Sequence, residues 1–504
     1  MSEPVTIVPM DEHNRKLVDN VHPPGWVNPT PPDAPYDMVV VGAGTAGLIT
    51  AIGSAGLGKR VALVERHLMG GDCLNVGCVP SKALIRSAAA AAALRSAPDF
   101  GVNAGAEVTV DFPKVMERVR RLRASISDND SARRYAGQGV DVYIGSGRFT
   151  GPGTIDVDGN ALRFKKACIA TGARAAAPPI PGLNDIEYLT NETVFEMTVL
   201  PKRLGIIGAG PIGCELAQSF ARLGSEVYLV EAAHGTLPSE DPDASEIVRR
   251  SIVDDGVQLL CCGKELTLSE ADGARVRLQV ESHGCAYDVG VDQLLVAVGR
   301  RPNSDNLGLD AAGVKHDKTG VTVDNYLRTT NPDVFAAGDI CAKYKFTHAA
   351  DAYARIVIRN ALLGWLPFRP RASDLVMPWC TYTDPEIAHV GKSEQELETA
   401  GTPYETVKID FNGIDRAILE SESEGFLKVH VRPNGKILGA TLVSRHAGES
   451  ISEITTAIVH GIKLQSLSKV IHPYPTQAAA IKGAGDQFYK RWLLGWKKRL
   501  TFGR

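Results

Sequence analysis

YDMVVVGAGTAGLITAIGSAGLGKRVALVER, residues 36–66, decides the fold. An apolar run at 38–41 breaks at glycines 42, 44 and 47, passes into a stretch of small and aliphatic residues of helical length, and returns to a second apolar run ending at Glu65. β-branched runs bounded by glycine read as strands, and the small-residue stretch between them reads as a crossover helix. The segment is therefore a βαβ unit. The pattern recurs at 204–233, LGIIGAGPIGCELAQSFARLGSEVYLVEAA, with glycines at 208, 210 and 213 and an acid at Glu231. Two such units on one chain predict an α/β protein with parallel sheets.

The glycines carry chemistry as well as shape. Gly42 permits a tight turn, Gly44 lets backbone approach a pyrophosphate, and Gly47 lets helix and strand pack closely, which leaves the helix N-terminus facing phosphate. Gly208, Gly210 and Gly213 repeat the device. Glu65 and Glu231 close the second strand of each copy, where a carboxylate accepts hydrogen bonds from a ribose diol. Glu231 also selects between nicotinamide cofactors. It suits the free 2′-hydroxyl of NADH, and no Arg follows in EAAHGTLPSE to neutralise the 2′-phosphate of NADPH, so NADH is preferred with NADPH the alternative. Two nucleotide sites on one chain point to a relay in which one nucleotide is held and the other arrives, reacts and leaves.

The remainder of the 504 residues sets the limits. With 44% apolar and 22% charged residues the chain is globular, and a net charge of −3 gives no basis for nucleic-acid binding. The start lacks the basic and apolar pattern of a secretory signal, and no apolar run approaches the ~20 residues of a membrane span, so a cytoplasmic protein without stable membrane association is expected. Nine cysteines suit a reducing compartment. Expected segments are a proline-rich extended arm at 1–35, either loosely ordered or packed on a partner; a first dinucleotide-binding domain at 36–200; a second at 201–298; a central return to the first at 299–377; an α+β interface domain at 378–490; and a basic tail at 491–504. That tail either touches a membrane surface or packs as an amphipathic helix.

GGDCLNVGCVPSKALIRSAAAAAALR, residues 70–95, places Cys73 and Cys78 at a helix start, five positions apart. In an ideal helix their Cα atoms would lie roughly 8–9 Å apart, whereas a disulfide prefers less than ~7 Å, so the turn must be deformed. Gly77 and Pro80 permit that deformation, and the positive helix end lowers a thiol pKa. The pair is poised for redox exchange. The vicinal Cys261 and Cys262 have the chemistry to bind a soft metal, but on a strand-like run of the nucleotide domain they read as buried packing, and no metal-ligating set is expected.

GGDCLNVGCVPSK resembles the active-site motif of the flavoprotein disulfide reductases, which include lipoamide dehydrogenase, glutathione reductase and mercuric ion reductase. ATGAR (170–174), VGRRPN (298–303), AAGDI (336–340) and TDPEIAHVG (383–391) follow in that family's order, so the resemblance spans about 36–482. It implies FAD in the first fold, NAD(P)H in the second, and a homodimer whose active site is shared between subunits. It further implies that Cys78 receives electrons from the flavin while Cys73 attacks substrate, that Lys82 lies at the flavin N5 with Glu215 as its ion-pair partner, and that Asp339 meets the ribityl chain. Thr171, Gly172 and Arg300 match flavin-contacting or domain-junction positions. Ala43, Thr45, Ala46, Arg66, Gly71, Asp72, Gly77, Gly147, Ala170, Ile212, Gly299 and Ala349 complete the expected cofactor contacts.

One motif departs from the family. Disulfide reductases carry a His before Pro-Thr and a Glu five residues after that His; here, in IHPYPTQAAAIK, Tyr474 and Ala479 stand at those places. Tyr, with an ordinary pKa near ~10, is a poor base at neutrality. His472 either supplies the lost base or serves as a structural His. Substrates that need little proton management are therefore expected: a small disulfide, a thiol-bound metal ion such as Hg(II), or a related electrophile. The alternatives are a lipoamide dehydrogenase, a flavin-bound redox sensor, or a diaphorase or transhydrogenase without a dithiol substrate.

Overall fold

A computed structural model describes residues 5–103, 105 and 108–501, so residues 1–4 of the opening arm and 502–504 of the basic tail lie outside the described residues. The chain divides into two compact units: Met1–Ile180, Glu187–Pro201 and Leu294–Leu375 form the first, and Pro181–Ile186, Lys202–Gln293 and Val376–Arg504 the second.

The first unit is organised on a parallel five-stranded sheet in the order Val334–Ala336, Ala167–Ile169, Met38–Val41, Val61–Glu65, Val140–Ile144. Met38–Val41 is buried along its whole length, as a strand covered on both faces must be. Val39, Val41, Ala62, Val64 and Ile169 share a core with Phe149, Ile155 and Leu162 of a small antiparallel sheet. Helix Thr45–Gly56 joins the first two strands in sequence and stops at Leu57, just before Gly58 takes a φ of 70°. The alanine-rich helix Cys78–Ser96 is built from the strongest helix former.

The opening segment departs from the extended arm expected of it. Glu12–Val21 is a helix whose N-cap, Asp11, accepts from the Asn14 N–H at 2.9 Å. Leu17 and Val21 are fully buried and Val18 nearly so. At roughly 1.5–3 kcal/mol per buried side chain, these three outweigh the marginal stability of a helix this short. Arg120 Nε pairs with Asp11 at 2.5 Å, and Arg123 donates to Asn14 Oδ1 at 2.6 Å. The proline-rich stretch that follows forms neither helix nor strand, and the Trp26 indole donates to the Val142 carbonyl at 3.0 Å. The segment packs on its own unit.

The second unit holds three sheets, one of them a small antiparallel sheet of Lys264–Ala271, Ala274–Ser282 and Cys285–Val291. Val257–Leu260, Glu226–Val230 and Arg203–Ile207 pair in parallel, and Gln293–Val296 forms the fourth strand, where the chain leaves the unit. The third sheet is antiparallel and five-stranded, in the order Pro378–Thr381, Glu386–Gly391, Ile437–Ser444, Phe426–Val431, Glu405–Asp410. Helices Ala447–Val459 and Ala479–Thr501 contribute Ile451, Ile454, Ala480, Ile481 and Phe488 to its core. The expected tail is thus no separate segment at its start, because the last helix runs through it without a break. No helix among the described residues is long and apolar enough to cross a membrane.

Candidate active site

In the first unit the glycine loop explains itself by space. Gly42 has a φ of 102°, and a Cβ there would lie 2.4 Å from the Ala170 carbonyl oxygen. A Cβ on Gly47 would lie 1.8 Å from the Gly42 oxygen. Gly44 caps helix Thr45–Gly56, and no side chain bonds that cap. The facing turn comes equally close: Gly71, with φ 56°, would place a Cβ 2.7 Å from Gly44 Cα. Glu65 ties the loop together, Oε2 accepting from Ala43 N–H at 2.7 Å and Oε1 from His67 N–H at 2.8 Å. Burial pushes this carboxyl up while those two bonds hold it down. A carboxylate has about four acceptor positions, so these backbone bonds do not exhaust it.

Beside that loop the Arg300 guanidinium pairs with Asp72, donates to the Ala173 carbonyl at 2.7 Å and brings Nε to 3.4 Å from Asp339 Oδ2. Nε is nevertheless buried without a hydrogen-bond partner. Burial raises the Asp339 carboxyl, and Arg300 opposes the rise. Thr171 and Asn303 exchange side-chain-to-carbonyl bonds at 2.9 Å, while Asn303 N–H reaches the Gly172 carbonyl. Ala170 and Ala349 are buried, and Gly147 lies where a Cβ would come to 3.1 Å from Val64 Cγ1. An uncapped helix start, close glycine backbones and an orphaned guanidinium donor fit a flavin dinucleotide.

The cysteines sit where the helix breaks. A short helix, Gly71–Asn75, ends at Val76, and a new one begins at Cys78 with Gly77 as its cap. A Cβ on Gly77 would lie 2.8 Å from the Asp72 carbonyl oxygen, so the fold-back between the two cysteines needs glycine. Cys78 is exposed and Cys73 half-buried. The Cys73 thiol is pushed up chiefly by its hydrogen bond to Cys78 and then by burial, as expected where two sulfurs in contact cannot both ionise. Cys78 Sγ lies 3.3 Å from Thr347 Oγ1, and the same hydroxyl hydrogen-bonds Cys73. Thr347 went unread in the sequence; it starts helix Thr347–Leu362 and stands 269 residues from Cys78. Lys82 lies one turn beyond Cys78 on the same helix face.

The second unit repeats the loop. Gly208 has φ 103°, Gly210 caps helix Pro211–Leu223 with no side-chain bond, and a Cβ on Gly213 would lie 1.8 Å from the Gly208 oxygen. Glu231 does here what Glu65 does in the first unit, accepting from Ala209 N–H at 2.7 Å and Ala233 N–H at 2.9 Å. Ile212 is exposed at the first turn of that helix. Glu215, on the same helix, is buried and accepts the Tyr382 N–H at 2.9 Å. Lys82 and Glu215 belong to different units.

Tyr474 and His472 face different surroundings. Tyr474 is 79% exposed, and its hydroxyl donates to Asp415 Oδ2 at 2.9 Å, a bond that raises the phenol pKa. The His472 side chain is only 8% exposed, with Nε2 at 3.0 Å from Glu453 Oε2 and Nδ1 at 3.2 Å from the Val470 carbonyl. Both ring nitrogens are engaged. Asp415 and Glu453 carried no signal in the sequence. Of the vicinal cysteines, Cys261 is buried as expected; Cys262 is not, and has turned towards His234.

The pyridine nucleotide-disulphide oxidoreductase model matches residues 36–354, and that family's dimerisation-domain model matches 377–484. The chain is 34% identical to the mercuric reductase of Bacillus cereus over 90% of its own length and 72% of the relative's. It is also 34% identical to the dihydrolipoyl dehydrogenase of Thermus scotoductus, over 90% of its length and 98% of the relative's. Among solved structures it is similar to the HOCl-induced flavoprotein disulfide reductase RclA of Escherichia coli, with a TM-score of 0.78 and 28% identity, covering 90% of this chain and 99% of that one.

Proposed function

Because this chain belongs to the pyridine nucleotide-disulphide oxidoreductase family and is a flavoprotein disulfide oxidoreductase, we propose that it spends NADH on a small disulfide or a thiolate-bound soft metal ion through Cys73 and Cys78. FAD bound here would supply the two-electron chemistry that links a reduced nicotinamide to the disulfide. Gly44 and the helix it caps hold the pyrophosphate, Glu65 the ribose, and Arg300 with Asp339 the ribityl side. Cys78, at the first turn of its helix, receives the electrons, and Cys73 leaves as a thiolate. That thiolate attacks one sulfur of a substrate disulfide and releases the other as thiolate. Cys78 then attacks Cys73, re-forming the pair and freeing the second product thiol.

The observation that carries this reading is the shared hydroxyl of Thr347 on both sulfurs, combined with Tyr474 where a catalytic base is expected. Thr347 stabilises a thiolate without taking its proton. A substrate that leaves as a stable anion suits such a site, and a metal ion carried by two thiolates meets that condition because its carriers depart as thiolates. The mercuric reductase relatives support the metal reading, and the dihydrolipoyl dehydrogenase relatives keep a dithiol substrate in the test. Glu231 supports NADH over NADPH, since a second anion beside its carboxylate is repelled.

The test is anaerobic titration with NADH, then rapid mixing with a panel of small disulfides, lipoamide and thiol-bound Hg(II). NADH should raise the long-wavelength absorbance of a thiolate lying against the flavin, and Hg(II) or a small disulfide should abolish it at each turnover. Fast turnover with lipoamide alone would transfer the assignment to a dithiol enzyme. Full turnover in Cys73→Ser would remove the cysteine relay altogether.

A further inference from the structure

Away from the redox pair, the second unit gathers four soft donors. His234 Nδ1 lies 3.3 Å from Cys262 Sγ, and His283 Nε2 lies 3.1 Å from Cys261 Sγ. One donor atom from each of the four residues falls within 4.8 Å of every other. In a tetrahedral zinc site with bonds of ~2.0 Å to nitrogen and ~2.3 Å to sulfur, donor atoms stand about 3.3–3.8 Å apart, so the set needs only a small contraction. The two imidazoles meet edge to face, with centroids 5.9 Å apart at 85°, so the rings are not stacked.

The backbone has been shaped to make this cluster. Cys262 has φ 56° and His283 φ 51°, conformations that residues other than glycine rarely adopt. His283 and Gly284 form the two-residue turn of a hairpin closed by the Ser282–Cys285 pair, and both turn residues have positive φ. Asn or Gly is the favoured first residue of such a turn. Histidine is among the non-glycine residues that tolerate this conformation, and here it also adds a donor atom. Two strained ligand positions out of four are an outlier that calls for a function.

Three chain segments are held in register before any ion arrives. The Cys262 N–H donates to the Ala233 carbonyl at 2.9 Å, the Gly263 N–H to the Glu231 carbonyl at 2.9 Å, and Ser282 Oγ to the Cys261 carbonyl at 2.6 Å. His234 and His283 are exposed, so an ion has a route in.

We propose that His234, Cys261, Cys262 and His283 form a tetrahedral site for one thiophilic d10 cation, of which zinc(II) is the reference member. Thiolate and imidazole donors together select zinc, copper(I) and their heavier analogues over magnesium or calcium. Binding replaces two S–H bonds by two metal–sulfur bonds and releases both protons to solvent, while the imidazoles enter neutral. The site adjoins Glu231 through Ala233 but shares no side chain with the redox pair.

The test uses the FAD-loaded full-length protein in a Cys73→Ser/Cys78→Ser background, so that the redox pair cannot compete for metal. Cobalt(II) should bind at one ion per chain, giving tetrahedral d–d bands and thiolate charge-transfer absorbance that one equivalent of zinc(II) displaces. Cys262→Ser should weaken cobalt binding at least tenfold, and so should His283→Asn, which keeps a residue suited to the turn. The absence of stoichiometric cobalt binding would overturn the proposal, as would either variant binding as tightly as its parent.

Discussion

Thr347 is the residue through which the sulfurs of Cys73 and Cys78 meet a third group, and under the proposed function its hydroxyl is what would hold a thiolate at neutral pH. A hydrogen bond to a charged partner is worth about 1.5–3 kcal/mol, less where solvent competes as it does at exposed Cys78. Thr347→Val should therefore move the thiolate titration of the NADH-reduced protein up by roughly one pH unit, read from the long-wavelength band. An unmoved midpoint would leave Thr347 a packing residue. Glu240 offers a second test with the opposite chemistry. Burial pushes its carboxyl from 4.5 to about 7, although the Trp379 indole donates to it at 2.8 Å. Between those two values the folded chain holds a proton that the unfolded chain has lost, so this group's contribution is fully present below pH 4.5 and disappears as pH rises through 7. Glu240→Gln cannot ionise. It should stabilise the second unit at pH 8 by about 1–3 kcal/mol and change little at pH 4.5, as a pair of thermal melts would report.

At the scale of elements, the two strand–glycine–helix units are one design used twice, and their close contacts predict the same lesion with two different readouts. Gly47→Ala and Gly213→Ala each drive a Cβ to 1.8 Å from a carbonyl oxygen at the base of the loop. Overpacking of this kind costs about 1–3 kcal/mol and shifts the loop. Gly47→Ala should be purified depleted of flavin. Gly213→Ala should keep its flavin yet need at least tenfold more NADH to reduce it, and a variant pair with identical flavin content and identical NADH dependence would contradict the division of labour. These units were legible in the sequence because their constraints are local: a glycine five residues before another, an acid at a strand end. The second use of the acids, clamping the loop through Ala43 and Ala209, was not legible, since it depends on backbone N–H directions that only the folded turn reveals. Helix Glu12–Val21 escaped because its buried apolar residues are only three, Leu17, Val18 and Val21, in a polar stretch beside a proline-rich one. Thr347, Asp415, His234 and His283 escaped for a different reason. Their partners are 269, 59, 28 and 22 residues away, and no spacing rule reaches across a fold.

At the scale of the whole molecule, the second unit carries a surface that a lone chain leaves open. Ile471 is 93% exposed and Tyr474 79%, with Val459 at 57% and Val470 at 41%, all within the dimerisation-domain match. Large apolar side chains so exposed are the mark of a surface that meets another protein, and a two-fold dimer is the commonest way to cover one. If the covered face brings Tyr474 to the cysteines of a second copy, each active site is built from two chains, and neither chain is complete alone. That arrangement has a consequence no single-chain site shares. A chain carrying Cys73→Ser is dead in its own cysteine pair but lends a sound Tyr474; a chain carrying Tyr474→Ala has a sound cysteine pair and lends a defective surface. Unfolded together in equal amounts and refolded, half the dimers are mixed, and each mixed dimer contains one site with both sound parts. About a quarter of the parent turnover should return from two variants that are each nearly inactive. If every site were made within one chain, mixing would give only the average of the two parents, and the proposal that Tyr474 serves the cysteines of a second copy would fall.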